Sequence, residues 1–179
     1  MAFKTRKTKL ADEWREWMSE EGHRLVAYAR HRTGSQDEAE DVVQDALIRL
    51  WGYQEERGHC PPDIALAFSV IRYVAMDAGR KKGRRQKGDQ KIIQLHDPEE
   101  HWLDLTVEQD EDALQLRKAI DGLSDKLKEV IMLKIWSGLT FAQIGEVLKI
   151  SQNTAASRYR YALELLQLDL QELKEERNG

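Results

Sequence analysis

Apolar residues along this chain recur with the period of an α-helix in nearly every segment that has a pattern. Ala39, Val42, Val43, Ala46, Leu47, Leu50 and Trp51 fall at i, i+3, i+4, i+7, i+8, i+11 and i+12, which draws one continuous stripe down a helix. Ser35 and Glu38 form a capping-box signature at its start. A second stripe runs through Ile64, Ala67, Phe68, Ile71, Val74, Ala75 and Ala78, entered through Pro61 and Pro62, where a missing N–H costs least. Upstream, Trp14, Trp17, Met18, Leu25, Tyr28 and Ala29 fit a third, less regular stripe. Such faces can bury a common core and so make a first domain. Further on, Ala113, Leu116 and Ile120 open a second helical set, continued by Leu127, Val130, Ile131 and Ile135. No alternating strand pattern and no internal repeat occur. The pattern predicts an all-α fold of two small helical domains, residues 10–85 and 113–173, with residues 86–112 as the linker.

The second domain carries the most informative segment, SGLTFAQIGEVLKISQNTAASRYRYALELL. Gly138 ends one helix, Thr140 with Gln143 makes a capping box, and Phe141, Ile144 and Leu148 give the short helix that follows a buried side. Lys149 and Ile150 leave room only for a tight turn. Ser151 then caps a longer helix whose inward stripe is Tyr159, Ala162, Leu163, Leu166, Leu170 and Leu173. Two helices joined by about 3–4 turn residues form the DNA-binding helix-turn-helix plan, whose second helix points its first turns into the major groove. Gly145 and Ala155 supply the small residues such a crossing needs. Gln152, Asn153, Thr154, Ala156, Ser157 and Arg160 point outward. Gln and Asn suit adenine edges, Arg suits guanine, and Ser and Thr serve bases or phosphates. Charge is sparse, since Arg158 and Arg160 are the basic residues between Ser151 and Leu173. On these residues alone a sequence reader, a stand-alone regulator and a hairpin used for packing or protein contact all remain open.

Charge changes the picture more than composition does. The net charge of −4, from 28 basic and 32 acidic residues, argues against nucleic acid if read as an average. Its distribution reverses that. Arg80 to Lys91, RKKGRRQKGDQK, carries +6, whereas Ile92 to Asp112 contains no Lys or Arg and carries −8. Blocks of like charge are interaction-capable segments rather than packed core, and Pro98 supports a linker here. Among the positions off the second stripe, Arg72, Tyr73, Met76 and Arg80 run into Lys81, Lys82, Arg84 and Arg85. Such a helix can hold phosphates with its basic end and meet exposed bases with a ring and a guanidinium plane.

Composition excludes several function classes. No run approaches the roughly 18–20 apolar residues that span a bilayer, and the basic start MAFKTRKTKL has no apolar core before a cleavage site. Membrane insertion and secretion are not expected; the cytoplasm is. The single cysteine, Cys60, has no intrachain partner, and beside His59 it falls far short of a zinc set. The carboxylates of one helix face lack the convergent ligands and pocket that metal-dependent catalysis needs. No catalytic residue, metal or cofactor is expected, and the protein reads as no enzyme.

Both halves also resemble one family. Gly34-Ser35 followed by AEDVVQDALIRLW (Ala39 to Trp51) resembles the core-polymerase-binding helix of bacterial RNA polymerase sigma factors, and AFSVIRYVAMDAGRKKGRR (Ala67 to Arg85) their adjoining promoter-reading helix. AIDGLSDKLKEVIMLKIWSGLTFAQIGEVLKIS (Ala119 to Ser151) resembles the family's C-terminal helix-turn-helix domain. The resemblance covers about residues 20–168 and is to the small two-domain extracytoplasmic-function group. It implies a transcription initiation factor whose partners are core RNA polymerase and promoter DNA, and it allows for an anti-sigma factor. By that resemblance Asp37, Glu38, Asp41, Gln44, Asp45 and Arg49 dock a coiled coil of the largest polymerase subunit. Arg72, Tyr73, Met76, Arg80, Lys81, Lys82, Arg84 and Arg85 meet the minus-ten element, with the loop Gln54 to Pro62 near an expelled base. Gln152, Asn153, Thr154, Ser157, Arg158 and Arg160 meet the minus-thirty-five element, and the acidic linker lies along the path of nascent RNA. Two departures stand out. Lys149 occupies a turn position where glycine is frequent, which as a left-handed residue costs roughly 1–2 kcal/mol. Ala156, Tyr161 and Leu163 stand where the family often has basic residues, so the upstream contact is expected to be weak in phosphate binding.

Overall fold

The computed structural model describes residues 2–58, 60–88 and 111–178, with the side chains of 2–8, Glu56, 84–88, 111–113 and 172–178 left aside. His59, most of the acidic linker and the side chains of Arg84, Arg85 and Leu173 therefore lie outside the described residues. The described chain forms two compact units, divided between Glu100 and His101.

The first unit is built from α1 (Ala2–Arg32), α2 (Gln36–Gln54) and α3 (Ile64–Gly88), each packed on the other two. Its centre is aromatic and aliphatic. Tyr28 and Phe68 meet edge to face at 5.2 Å, with Leu25, Leu50 and Ile71 fully buried around them. The α2 stripe is buried through Ala39, Val42, Val43, Ala46 and Leu50, but Leu47 is half-buried and Trp51 is 43% exposed. Trp51 lies on the rim of the stripe, where it leans on Trp14 at 5.2 Å. On α3, burial stops at Ala75, and every residue from Ala78 to Gly83 is exposed, so the expected inward place of Ala78 is not found.

Helix starts follow local hydrogen bonding. The Ser35 hydroxyl accepts the Glu38 N–H at 3.2 Å, as its spacing predicts. The returning half of the box goes one residue further back, where Gly34 N–H donates to the Glu38 carboxylate at 2.9 Å. Pro61 and Pro62 stand before α3 rather than in its first turn. Asp63 takes over the start because its carboxylate accepts the otherwise orphaned Ala65 N–H at 2.8 Å.

The second unit holds α4 (Glu111–Gly122), α5 (Asp125–Ile131), α6 (Phe141–Leu148) and α7 (Gln152–Asn178), with a π-helical turn Met132–Trp136 closing α5. Ala119, Ile120, Leu123, Leu127, Ile131, Ala162 and Leu166 form one buried cluster. The π turn, marked by Ser137 N–H donating to Met132 O at 3.0 Å, corrects one expectation. Its extra residue per turn rotates Ile135 off the inward stripe and leaves it 50% exposed. Leu163 is 39% exposed for a different reason, since burial on α7 is centred on Ala155, Ala162 and Leu166 and leaves Leu163 at the edge. Phe141 is half-buried, with its ring 5.5 Å from that of Tyr159.

The turn between α6 and α7 pivots on Gly145, whose carbonyl accepts the N–H of Lys149 and, at 3.0 Å, that of Ile150. Lys149 is left-handed at φ 57°, ψ 45°. Glycine there removes a Cβ clash of about 1–2 kcal/mol and adds unfolded-state freedom of about 0.4–1 kcal/mol. Lys149→Gly is therefore expected to stabilise this unit by about 0.5–1 kcal/mol, read as a rise of a few degrees in thermal unfolding.

Candidate functional site

Three exposed faces collect the residues singled out by sequence. On α2, successive residues turn by 100°, so Asp37, Asp41, Gln44 and Asp45 share one side, and all four are exposed. Asp37 and Glu38 sit in the first turn, where a carboxylate is favoured by the helix dipole, so their presence has a local cause. Asp41 and Asp45 lie beyond that turn and have none. Ile48 belongs to the same side and is 70% exposed. Its signal in the sequence is a large aliphatic residue off the buried stripe, a feature that charge alone does not mark.

Glu38 and Arg49 lie at the edge of that side, beside Asp45. Both stand at the border with α3. The Glu38 carboxylate pairs with the Lys82 ammonium at 2.8 Å, and the Arg49 guanidinium lies 5.6 Å from the Tyr73 ring centroid. The residues read as one polymerase-facing set thus divide into an open group and a group engaged with the neighbouring helix.

The outer side of α3 presents Tyr73, 61% exposed, with Arg72 and Met76 half-buried beside it. Arg80, Lys81 and Lys82 are exposed. Lys81 pairs with Asp77 at 3.0 Å and Lys82 with Glu38, so part of the basic end is already neutralised. Exposed pairs of this kind contribute about 0–1 kcal/mol and are screened by salt, so a phosphate can displace the carboxylate. In the preceding loop, Gly58 is left-handed at φ 81°, and Arg57 lies over the Tyr53 ring at 4.0 Å while donating to the Tyr53 carbonyl at 3.1 Å.

At the start of α7 the Ser151 hydroxyl accepts the Thr154 N–H at 3.0 Å and is hydrogen-bonded to the Thr154 hydroxyl at 2.8 Å. Thr154 is half-buried and works as part of this cap. Ser157 donates to the Thr154 carbonyl at 3.1 Å. Gln152, Asn153, Ser157 and Arg160 are exposed, whereas Arg158 and Ala156 are half-buried. The exposed polar face is therefore narrower than its residue spacing implies, and Lys149 adds an exposed cation at its leading edge.

The Sigma-70 region 2 family matches residues 18–85 and the Sigma-70 region 4 family matches residues 113–166. The ECF RNA polymerase sigma factor SigL of Mycobacterium tuberculosis is 35% identical over 150 residues, covering 83% of this chain and 84% of its own. RNA polymerase sigma factor SigV of Bacillus subtilis is 24% identical over 138 residues, covering 76% and 78%. In fold, the chain is similar to the sigma factor RpoE of Bartonella quintana, solved in complex with the anti-sigma factor NepR, with a TM-score of 0.62, 24% identity and coverage of 88% and 96%. The region 2 match spans the α1–α3 unit from residue 18, the region 4 match spans the helix-turn-helix unit, and the chain belongs to the extracytoplasmic-function sigma factors of RNA polymerase.

Proposed function

We propose that this sigma factor binds core RNA polymerase through the open side of α2 and directs it to promoters through α3 and α7. The observation that carries the reading is the pairing, on one chain, of two exposed carboxylates beyond the reach of the helix dipole, Asp41 and Asp45, with a capped helix-turn-helix whose leading side chains are polar and exposed. Asp37, Asp41, Gln44 and Asp45 meet a basic surface of the polymerase. Arg72, Tyr73, Met76, Arg80, Lys81 and Lys82 face the minus-ten element, with Arg84 and Arg85 extending the phosphate contact. Opening the duplex costs a few kcal/mol of unstacking, offset by capture of an unpaired base. Gln152, Asn153, Ser157 and Arg160 read the upstream element, with Thr154 and Arg158 supporting them. Residues 10–85, 86–112 and 113–173 are the working parts, and the place of action is the cytoplasm. The protein acts as a factor rather than an enzyme. An anti-sigma factor belongs to the same proposal, since the Bartonella quintana neighbour is a complex with one.

Run-off transcription with reconstituted core polymerase on genomic fragments tests this reading. The expected result is stoichiometric assembly and discrete transcripts. A protein that shifts DNA without polymerase and supports no transcript is a stand-alone regulator instead. Within that assay, Arg160→Ala should lower discrimination between good and poor upstream elements by about 1–3 kcal/mol with core binding intact. An equal loss on all sequences identifies Arg160 as a phosphate contact.

A further inference from the structure

The seam between α2 and α3 carries an assignment that neither helix makes alone. Tyr73 stands 61% exposed on α3, and Arg49 approaches its ring from α2 at 5.6 Å, within the range of a cation–π contact. The Glu38–Lys82 pair at 2.8 Å ties the same two helices at the opposite end of the seam. An exposed tyrosine is otherwise free to change rotamer, and a guanidinium behind it favours one orientation. A ring backed on one side has one side left for a nucleobase.

We propose that Arg49 is a positioning residue for Tyr73, backing the inner side of the ring so that its outer side is presented to an unpaired base of the opened promoter strand. This rests on the reading of α3 as the helix facing the minus-ten element, and it moves Arg49 from the polymerase face to the DNA side. The physical gain is preorganisation. Stacking of a base on an aromatic ring is tolerant of sequence, and it strengthens when one partner is already held in place. Arg49 touches the ring and not the base, so its whole effect passes through Tyr73.

The test uses the full chain with core polymerase and a promoter carrying 2-aminopurine in the minus-ten element, whose fluorescence reports unstacking. Affinity for core polymerase is measured separately, without DNA. Tyr73→Ala should lower opening roughly 5- to 150-fold, the range for loss of one base–aromatic stack. Arg49→Gln should lower it about two- to fivefold, the range of an exposed cation–π contact, with Arg49→Lys in between. In a Tyr73→Ala background, Arg49→Gln should have no further effect. Three results overturn the proposal: normal opening by Arg49→Gln, effects of the two substitutions that multiply, or a loss of core affinity by Arg49→Gln that accounts for its whole opening defect. Normal opening by Tyr73→Ala overturns the reading of α3 itself, and the role of Arg49 with it.

Discussion

Replacing Asp41 and Asp45 together by lysine is expected to abolish assembly with core RNA polymerase, weakening it by about 100-fold or more. The argument is electrostatic. Both carboxylates are exposed on the open side of α2, and reversing them turns attraction for a basic surface into like-charge contact, which costs several kcal/mol across an interface. At about 1.4 kcal/mol per factor of ten, a change of roughly 3 kcal/mol suffices. The fold should not follow. Neither side chain belongs to the buried stripe or the N-terminal cap, and the like-charge contacts the two lysines would make with each other and with Arg49, about 0.2–0.5 kcal/mol each, are partly offset by the favourable pair of the first lysine with Asp37 one turn back. Equilibrium binding of labelled protein to core polymerase, beside circular dichroism, checks both halves. Retained affinity with normal helicity would remove this side of α2 from polymerase binding.

The second large effect is expected at Gly145. A Cβ placed there would lie 2.8 Å from the Ile150 carbonyl oxygen and 3.4 Å from the Gln152 nitrogen. Those neighbours are backbone, so the turn itself must shift. The same glycine carbonyl accepts the N–H groups that close the turn, so the shift also strains Lys149 and Ile150. Gly145→Ala gains about 0.5–1 kcal/mol of helix propensity and loses about 1–3 kcal/mol to overpacking, a net destabilisation. Gly145→Val removes most of the propensity gain and adds bulk, so it should lower the unfolding midpoint of this unit further and abolish response to the upstream element. Thermal unfolding and transcription from promoters with and without that element provide the measurements. A Gly145→Val protein with unchanged melting and unchanged upstream response would show that the helix crossing tolerates a side chain.

Much of this architecture is legible in the amino-acid order because its signals are local. The stripe Ala39 to Leu50, the Ser35 cap and the Thr140–Gln143 capping box each depend on residues within a few positions of one another, and each is found. Gly145 and Ala155 are legible for the same reason, since a turn this short needs small residues where its helices cross, whereas the left-handed Lys149 is expected only from the family resemblance. What is not legible sits at the edges of stripes. Trp51, Leu163 and Ala78 continue an apolar period, yet whether they are covered depends on how far the neighbouring helix extends beside them. Ile135 escapes prediction because a π turn changes the angle per residue, and spacing alone assumes that angle constant.

The candidate faces divide in the same way. Charge type and helical period are enough to mark α2, α3 and the start of α7 as the chain's exposed chemistry, to place them on two helical domains, and to show that the net charge of −4 sums a +6 stretch and a −8 stretch with the rest of the chain. Only the tertiary structure decides that Glu38 and Arg49 belong to the seam with α3 while Asp37, Asp41, Gln44 and Asp45 stay open, and that Ile48 stands among them. The physical reason is that a residue's angle on its own helix follows from the chain, whereas its partner is set by the helix that packs against that angle.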